Sequence, residues 1–123
     1  MTKIFHYFDF IRLKGRTLAE INPGSSEFAL IVNDALEAIE LIEDSGQPIL
    51  GGDILSDNLN KLGYVYQIWG SEYHCLNWYC EKMDEESQIN YCIRSYKIAK
   101  SSINKANEVA KELDKNCYIV FVV

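Results

Sequence analysis

A chain of 123 residues, 48% hydrophobic and 24% charged, has the size and composition of a single globular domain, large enough to bury a core without disulfides or metal. No apolar run approaches the roughly 20 residues of a membrane-spanning helix, and the opening Met1-Thr2-Lys3-Ile4-Phe5-His6-Tyr7 leads into Asp9, Arg12 and Lys14 where a secretory leader would stay apolar, so a cytoplasmic protein without a membrane partner is expected. A net charge of −6 argues against a nucleic-acid partner, which would need a basic groove.

The spacing of Ile4, Phe5, Phe8 and Ile11, with Tyr7 beside them, predicts an amphipathic helix over residues 4–14 that stops at Gly15. Leu18 and Ile21 are available as plugs in the loop that follows, and Asn22-Pro23-Gly24-Ser25-Ser26 is turn chemistry. Residues 28–32 read as a brief strand or extended lead-in. Asn33 is placed to cap a helix over residues 34–44, with Asp34 in the first turn favoured by the helix dipole. This helix buries Ala35, Leu36, Ala38, Ile39 and Ile42 or Leu41, turns Glu37, Glu40, Glu43 and Asp44 outward, and closes at Gly46.

Pro48-Ile49-Leu50-Gly51-Gly52-Asp53 is the stretch around which the rest is organised. Ile49 and Leu50 predict a short strand buried on both faces, ending in a turn at the two glycines. Residues 56–60 read as a polar loop. Residues 64–69 and 73–80 are aromatic and β-branched runs joined by Gly70-Ser71-Glu72, the pattern of a hairpin. Asp84-Glu85-Glu86 opens the longest helix, to about Leu113, with the stripe Ile89, Cys92, Ile93, Tyr96, Ala99, Ile103, Ala106, Val109 or Ala110, and Leu113. Residues 117–123 are a hydrophobic last strand, expected to be central or well covered. The order predicts one α+β domain over residues 1–123, a mostly antiparallel sheet with two to three helices packed on it.

Charge is distributed unevenly. Residues 17–60 hold nine acids, Glu20, Glu27, Asp34, Glu37, Glu40, Glu43, Asp44, Asp53 and Asp57, and no lysine or arginine. Such a block attracts a cationic partner, although a solvated face is the plainer reading of any charge run. Cys75, Cys80, Cys92 and Cys117 lack knuckle spacing and are expected free and buried, with no metal bound. No nucleophile elbow, phosphate loop or zinc-protease motif is present. Gly51-Gly52-Asp53 is therefore favoured as a structural turn, although Asp53 with Asp57, Glu81 or His74 around a magnesium ion is the enzymatic alternative. The aromatic stretch holds Tyr64, Tyr66, Trp69, Tyr73, Trp78 and Tyr79, more large amphipathic rings than a modest core absorbs. Exposed rings of this kind serve as interface anchors.

With Leu18, Glu20-Ile21, Phe28-Ala29-Leu30, Asp34-Ala35-Leu36, Pro48 through Asp53, Asn77-Trp78-Tyr79-Cys80, Arg94-Ser95 and an apolar last strand, the chain resembles the Immunity protein 40 family of bacterial polymorphic toxin systems. It departs from the family pattern at Leu76, where a polar residue is expected, and in the long aromatic segment between the two motifs. The resemblance implies a cytoplasmic antidote, not an enzyme and without a cofactor, that binds one cognate secreted toxin and occludes it stoichiometrically. On charge, a basic nuclease domain is the favoured toxin type. Asp53, Asp57, Glu37, Glu40, Trp69, Tyr73 and Tyr79 are the expected contact residues, while Pro48, Gly51, Gly52 and Trp78 form a structural motif with Trp78 in the core. The alternatives are a metal-dependent hydrolase or nuclease using Asp53 and nearby carboxylates, and a small-molecule-binding module lined by Tyr64, Tyr66 and Trp78.

Overall fold

The computed structural model describes residues 3–123, with side chains from His6 onward; the side chains of Ile4 and Phe5, expected in the first apolar stripe, lie outside that description. In chain order the elements are α1 (Lys3–Lys14), β1 (Arg16–Thr17), β2 (Phe28–Ile31), α2 (Val32–Ser45), β3 (Gly51–Asn58), β4 (Lys61–Tyr64), α3 (Val65–Ile68), β5 (Trp78–Tyr79), α4 (Gln88–Leu113) and β6 (Tyr118–Val122). The strands form one antiparallel sheet in the order β1-β2-β6-β3-β4, with β5 pairing on the free end of β3. The expected α+β architecture is present, and the last strand is central, between β2 and β3.

The helices cover one face of the sheet. Ile39 and Ile42 of α2, Ala99 and Ile103 of α4, and Tyr7 and Ile11 of α1 pack with Leu30, Ile54, Ile119 and Phe121 into the main core. A smaller apolar cluster of Leu18, Ala29, Leu55, Leu62 and Val120 lies on the opposite face, flanked by half-buried Tyr64 and Tyr118. Strand residues alternate between faces. Gly51, Asp53, Leu55 and Asp57 of β3 therefore share this second face, which no described α-helix covers; the 3-10 turn Leu18–Glu20 lies over part of it and packs Leu18 against the buried cluster.

Several local expectations are overturned. Residues 48–50 are not a strand: β3 begins at Gly51 and continues through the predicted loop to Asn58. Ile49 is fully buried, but Leu50 is exposed, so the stretch is not buried on both faces. A tight turn at Leu59 and Asn60, with φ of 52° and 65°, then reverses the chain into β4. Positive φ at two successive residues is the hairpin turn that matches strand twist, and Asn tolerates it.

The aromatic hairpin does not form. Tyr64 ends β4, and the next residues coil into α3, where the Trp69 amide donates to the Val65 carbonyl at 2.8 Å. Val65 and Trp69, four apart, both face the core, a spacing that suits a helix as well as a strand. Gly70, at φ 135°, redirects the chain into a 3-10 segment, Ser71–Leu76.

Helix α2 starts at Val32, directly after β2, with no side-chain cap from Ile31, so Asn33 lies inside the helix instead of capping it. Helix α4 starts at Gln88 rather than at the acidic triplet, because Ser87 Oγ accepts from the Asn90 amide at 3.1 Å. Its buried stripe opens with Tyr91, Cys92, Ser95 and Tyr96, leaving Ile89 and Ile93 73% and 47% exposed. Phe8 is likewise exposed while Tyr7 and Ile11 carry the α1 packing. Cys80, Cys92 and Cys117 are free and buried, but Cys75 is exposed, in the polar 3-10 segment.

Candidate partner-binding face

Of the residues that carried the resemblance, Gly51-Gly52, Asn77 to Cys80 and Arg94-Ser95 meet in one structural knot. Gly51 and Gly52 pair with Tyr79 and Trp78. A Cβ on Gly52 would fall inside the Trp78 indole, and one on Gly51 would strike the Trp78 carbonyl. Glycine is needed here for close approach, not for a turn. The Ile54 amide donates to Asn77 Oδ1 at 2.8 Å, in the gap where neither β4 nor β5 is paired. Ser95, fully buried, accepts from the Ile49 amide at 3.0 Å and donates to the Cys92 carbonyl at 2.8 Å.

Arg94 completes the knot. It donates to both oxygens of Glu86 at 2.8 Å, to the Glu81 carbonyl at 2.5 Å and to Cys80 Sγ at 3.3 Å. Tyr91 Oη donates to the Cys80 carbonyl at 2.7 Å. Burial raises the Cys80 thiol above its ordinary range, although the nearby Arg94 charge opposes this. A thiol held protonated is a poor nucleophile. What joins these residues is packing and backbone satisfaction.

The face of the sheet opposite the α-helices, open around Tyr79 and Val122, is different in kind. Register places Tyr79 and Val122 on either side of Gly51, so a missing side chain separates an aromatic from an aliphatic one. Tyr79 is 78% exposed, and Ile31, Leu50 and Val122 are exposed around the same sheet. Asp53 follows Gly51 on this face and opposes Val120. Tyr64 opposes Leu55, the next residue on the face, and its ring stacks on Tyr66 at 5.6 Å. His74 meets Tyr66 edge-on at 5.2 Å.

Burial raises the Asp53 carboxyl, with His74 pulling the other way. Asp57, four residues on, is satisfied within the chain. It accepts from Asn116 Nδ2 at 2.9 Å and Tyr118 Oη at 2.8 Å, and Arg16 lies 3.7 Å away. Arg16 also forks onto Glu20, which in turn accepts from the Leu62 amide at 2.9 Å.

A comparison with protein families matches residues 17–123 to Immunity protein 40. The chain belongs to the Immunity protein 40 family. Comparison with curated proteins and with solved structures finds no match. The match runs from the end of β1 through β6 and contains the whole knot and strands β2 to β6.

Of the expected contact residues of this Immunity protein 40 member, Asp53, Asp57 and Tyr79 share the face of the sheet opposite the α-helices. Glu37 and Glu40 do not join them: they are exposed on α2, in the helix layer on the other side of the sheet. Trp69 and Tyr73 are half-buried against the main core, edge to face at 5.6 Å. Trp78 is in the core as expected. Among the described residues no three His, Cys, Asp or Glu side chains come together as a metal site. No described helix is long and apolar enough to cross a membrane. Sequence reasoning passed over Val122, Ile31 and Arg16 as surface partners, because their placement follows from strand register alone.

Proposed function

We propose that this protein is a cytoplasmic antidote that neutralises one cognate toxin by forming a stoichiometric complex with it. Family membership supports the role, and the face of the sheet opposite the α-helices carries the reading of how it acts. That face presents Tyr79 as a nearly free ring on the strand beside Gly51, on the same face as the Asp53 carboxylate and the exposed Val122. A ring of this kind gives an interface much contact area for little lost freedom. Binding blocks the toxin's working surface physically, so the antidote needs no chemistry of its own.

Glu37, Glu40 and the other acids of residues 17–60 act at longer range, raising the encounter rate with a positively charged toxin domain such as a nuclease. Trp69 and Tyr73, packed against the main core, serve the fold instead of the contact. The test is co-expression with the C-terminal toxin domain of the secreted protein encoded beside this one. Protection of growth and a 1:1 complex by size exclusion with light scattering are expected. Absence of both overturns the reading. Tyr79→Ala should lower affinity by roughly tenfold or more, as for an aromatic anchor.

A further inference from the structure

Asp53 differs from the other carboxylates that face the sheet. The chain satisfies Glu20 with Arg16, Glu86 with Arg94, and Asp57 with Asn116, Tyr118 and Arg16. Among the described residues no cation lies within ion-pair distance of Asp53, although it is half-buried. Desolvation without a partner disfavours the charged form.

The surroundings of Asp53 are aromatic, with His74, edge-on to Tyr66, the one group among the described residues whose charge acts on it. On one side is Val120 of β6. On the other the sheet edge is unpaired, since β4 leaves at Tyr64 opposite Leu55 and β5 arrives at Trp78 opposite Gly52. Diagonal neighbours on one face of a sheet are about 7–8 Å apart, within reach of an aromatic side chain. Tyr64 on one diagonal carries the stacked Tyr66, and Tyr79 stands next to Gly51 on the other. An unpaired carboxylate among tyrosine faces attracts a cation by both charge and ring quadrupole.

We propose that Asp53, framed by Tyr64, Tyr66 and Tyr79, receives an arginine side chain of the protein partner. The proposal rests on the reading that this chain binds a toxin, and it names what that surface recognises. Arginine fits better than lysine, because its planar guanidinium stacks on tyrosine while donating two parallel hydrogen bonds to a carboxylate. A net charge of −6, with no lysine or arginine between residues 17 and 60, favours a cationic partner.

Two experiments decide it. The first needs no toxin: the labelled protein is titrated by NMR with N-acetyl-arginine methylamide, and with the uncharged citrulline analogue. Saturable shifts at Gly52, Asp53, Tyr64, Tyr66 and Tyr79 are expected with arginine only. Asp53→Asn should abolish them. No saturable shift, an equal response to citrulline, or an unchanged response in Asp53→Asn overturns the inference. The second uses the neighbouring-gene toxin domain. Asp53→Asn should raise Kd by about tenfold or more, chiefly through faster dissociation. Glu108→Gln, on the exposed side of α4, should leave it unchanged. Equal affinity of wild type and Asp53→Asn removes the arginine receptor while the antidote function stands. If the wild type does not bind the toxin, the function reading falls and the titration alone decides the receptor.

Discussion

Glu86 accepts both prongs of the Arg94 guanidinium, which holds its carboxyl at about 2, well below the usual 4.5. The pair contributes stability above the unfolded value, and the contribution is lost as pH falls from about 4.5 toward 2. Glu86→Gln should therefore melt lower than wild type at pH 7, with the difference closing near pH 2, a comparison that thermal melts at several pH values check. Asp53 behaves in the opposite sense. Its carboxyl is raised by burial, so the stability it carries while protonated is lost as pH rises from 3.8 through the raised folded value. Asp53→Asn should melt higher than wild type at pH 7, and acidification should erase the gain. An equal or lower melting temperature at pH 7 would show that Asp53 is compensated inside the fold. A residue whose amide stabilises the fold while weakening partner binding shows the trade of stability against function seen at binding sites.

At the scale of elements, Gly51-Gly52 and Asn77-Trp78-Tyr79 are two halves of one joint. Gly52→Ala has to displace the Trp78 ring from the sheet, an overpacking that costs about 1–3 kcal/mol. Trp78→Ala empties the same site from the other side and should cost about 3–5 kcal/mol. Ser95→Ala leaves the Ile49 amide buried without an acceptor, at about 1–3 kcal/mol. Denaturant unfolding measures all three, and a neutral result for Gly52→Ala would contradict the ring's position. Pro48 through Asp53 was legible as a motif but not as an element. Its apolar pair suggested a strand with glycines at the end, whereas the glycines begin the strand because only they admit β5. The aromatic run at residues 64–69 was misread for a related reason. Val65 and Trp69 suit strand and helix equally in composition, and packing on the core selected the helix.

Across the whole molecule the sheet divides the acids into two populations. Glu37 and Glu40 stand in the helix layer, and Asp53 and Asp57 on the far side, so no single acidic patch joins them. Replacing Glu37 and Glu40 with lysine should slow association with the toxin domain and flatten its salt dependence, with dissociation nearly unchanged. Stopped-flow rates at two salt concentrations measure this, and an unchanged on-rate removes the steering role. Contact and steering are thus separable experimentally, because one depends on touching groups and the other on a field that salt screens.

The sequence alone determined that the chain is α+β, that α2 and most of α4 bury their small and aliphatic stripes, though not Ile89 and Ile93, and that the last strand is central or well covered. Those properties come from periodicity and hydrophobicity, which act locally along the chain. Its motifs likewise pointed to the family. Tertiary structure decided which side chains share a surface. Strand register sets Tyr79 beside Gly51 and leaves Asp53 without an ion-pair partner among the described residues, and register depends on pairing between segments far apart in sequence.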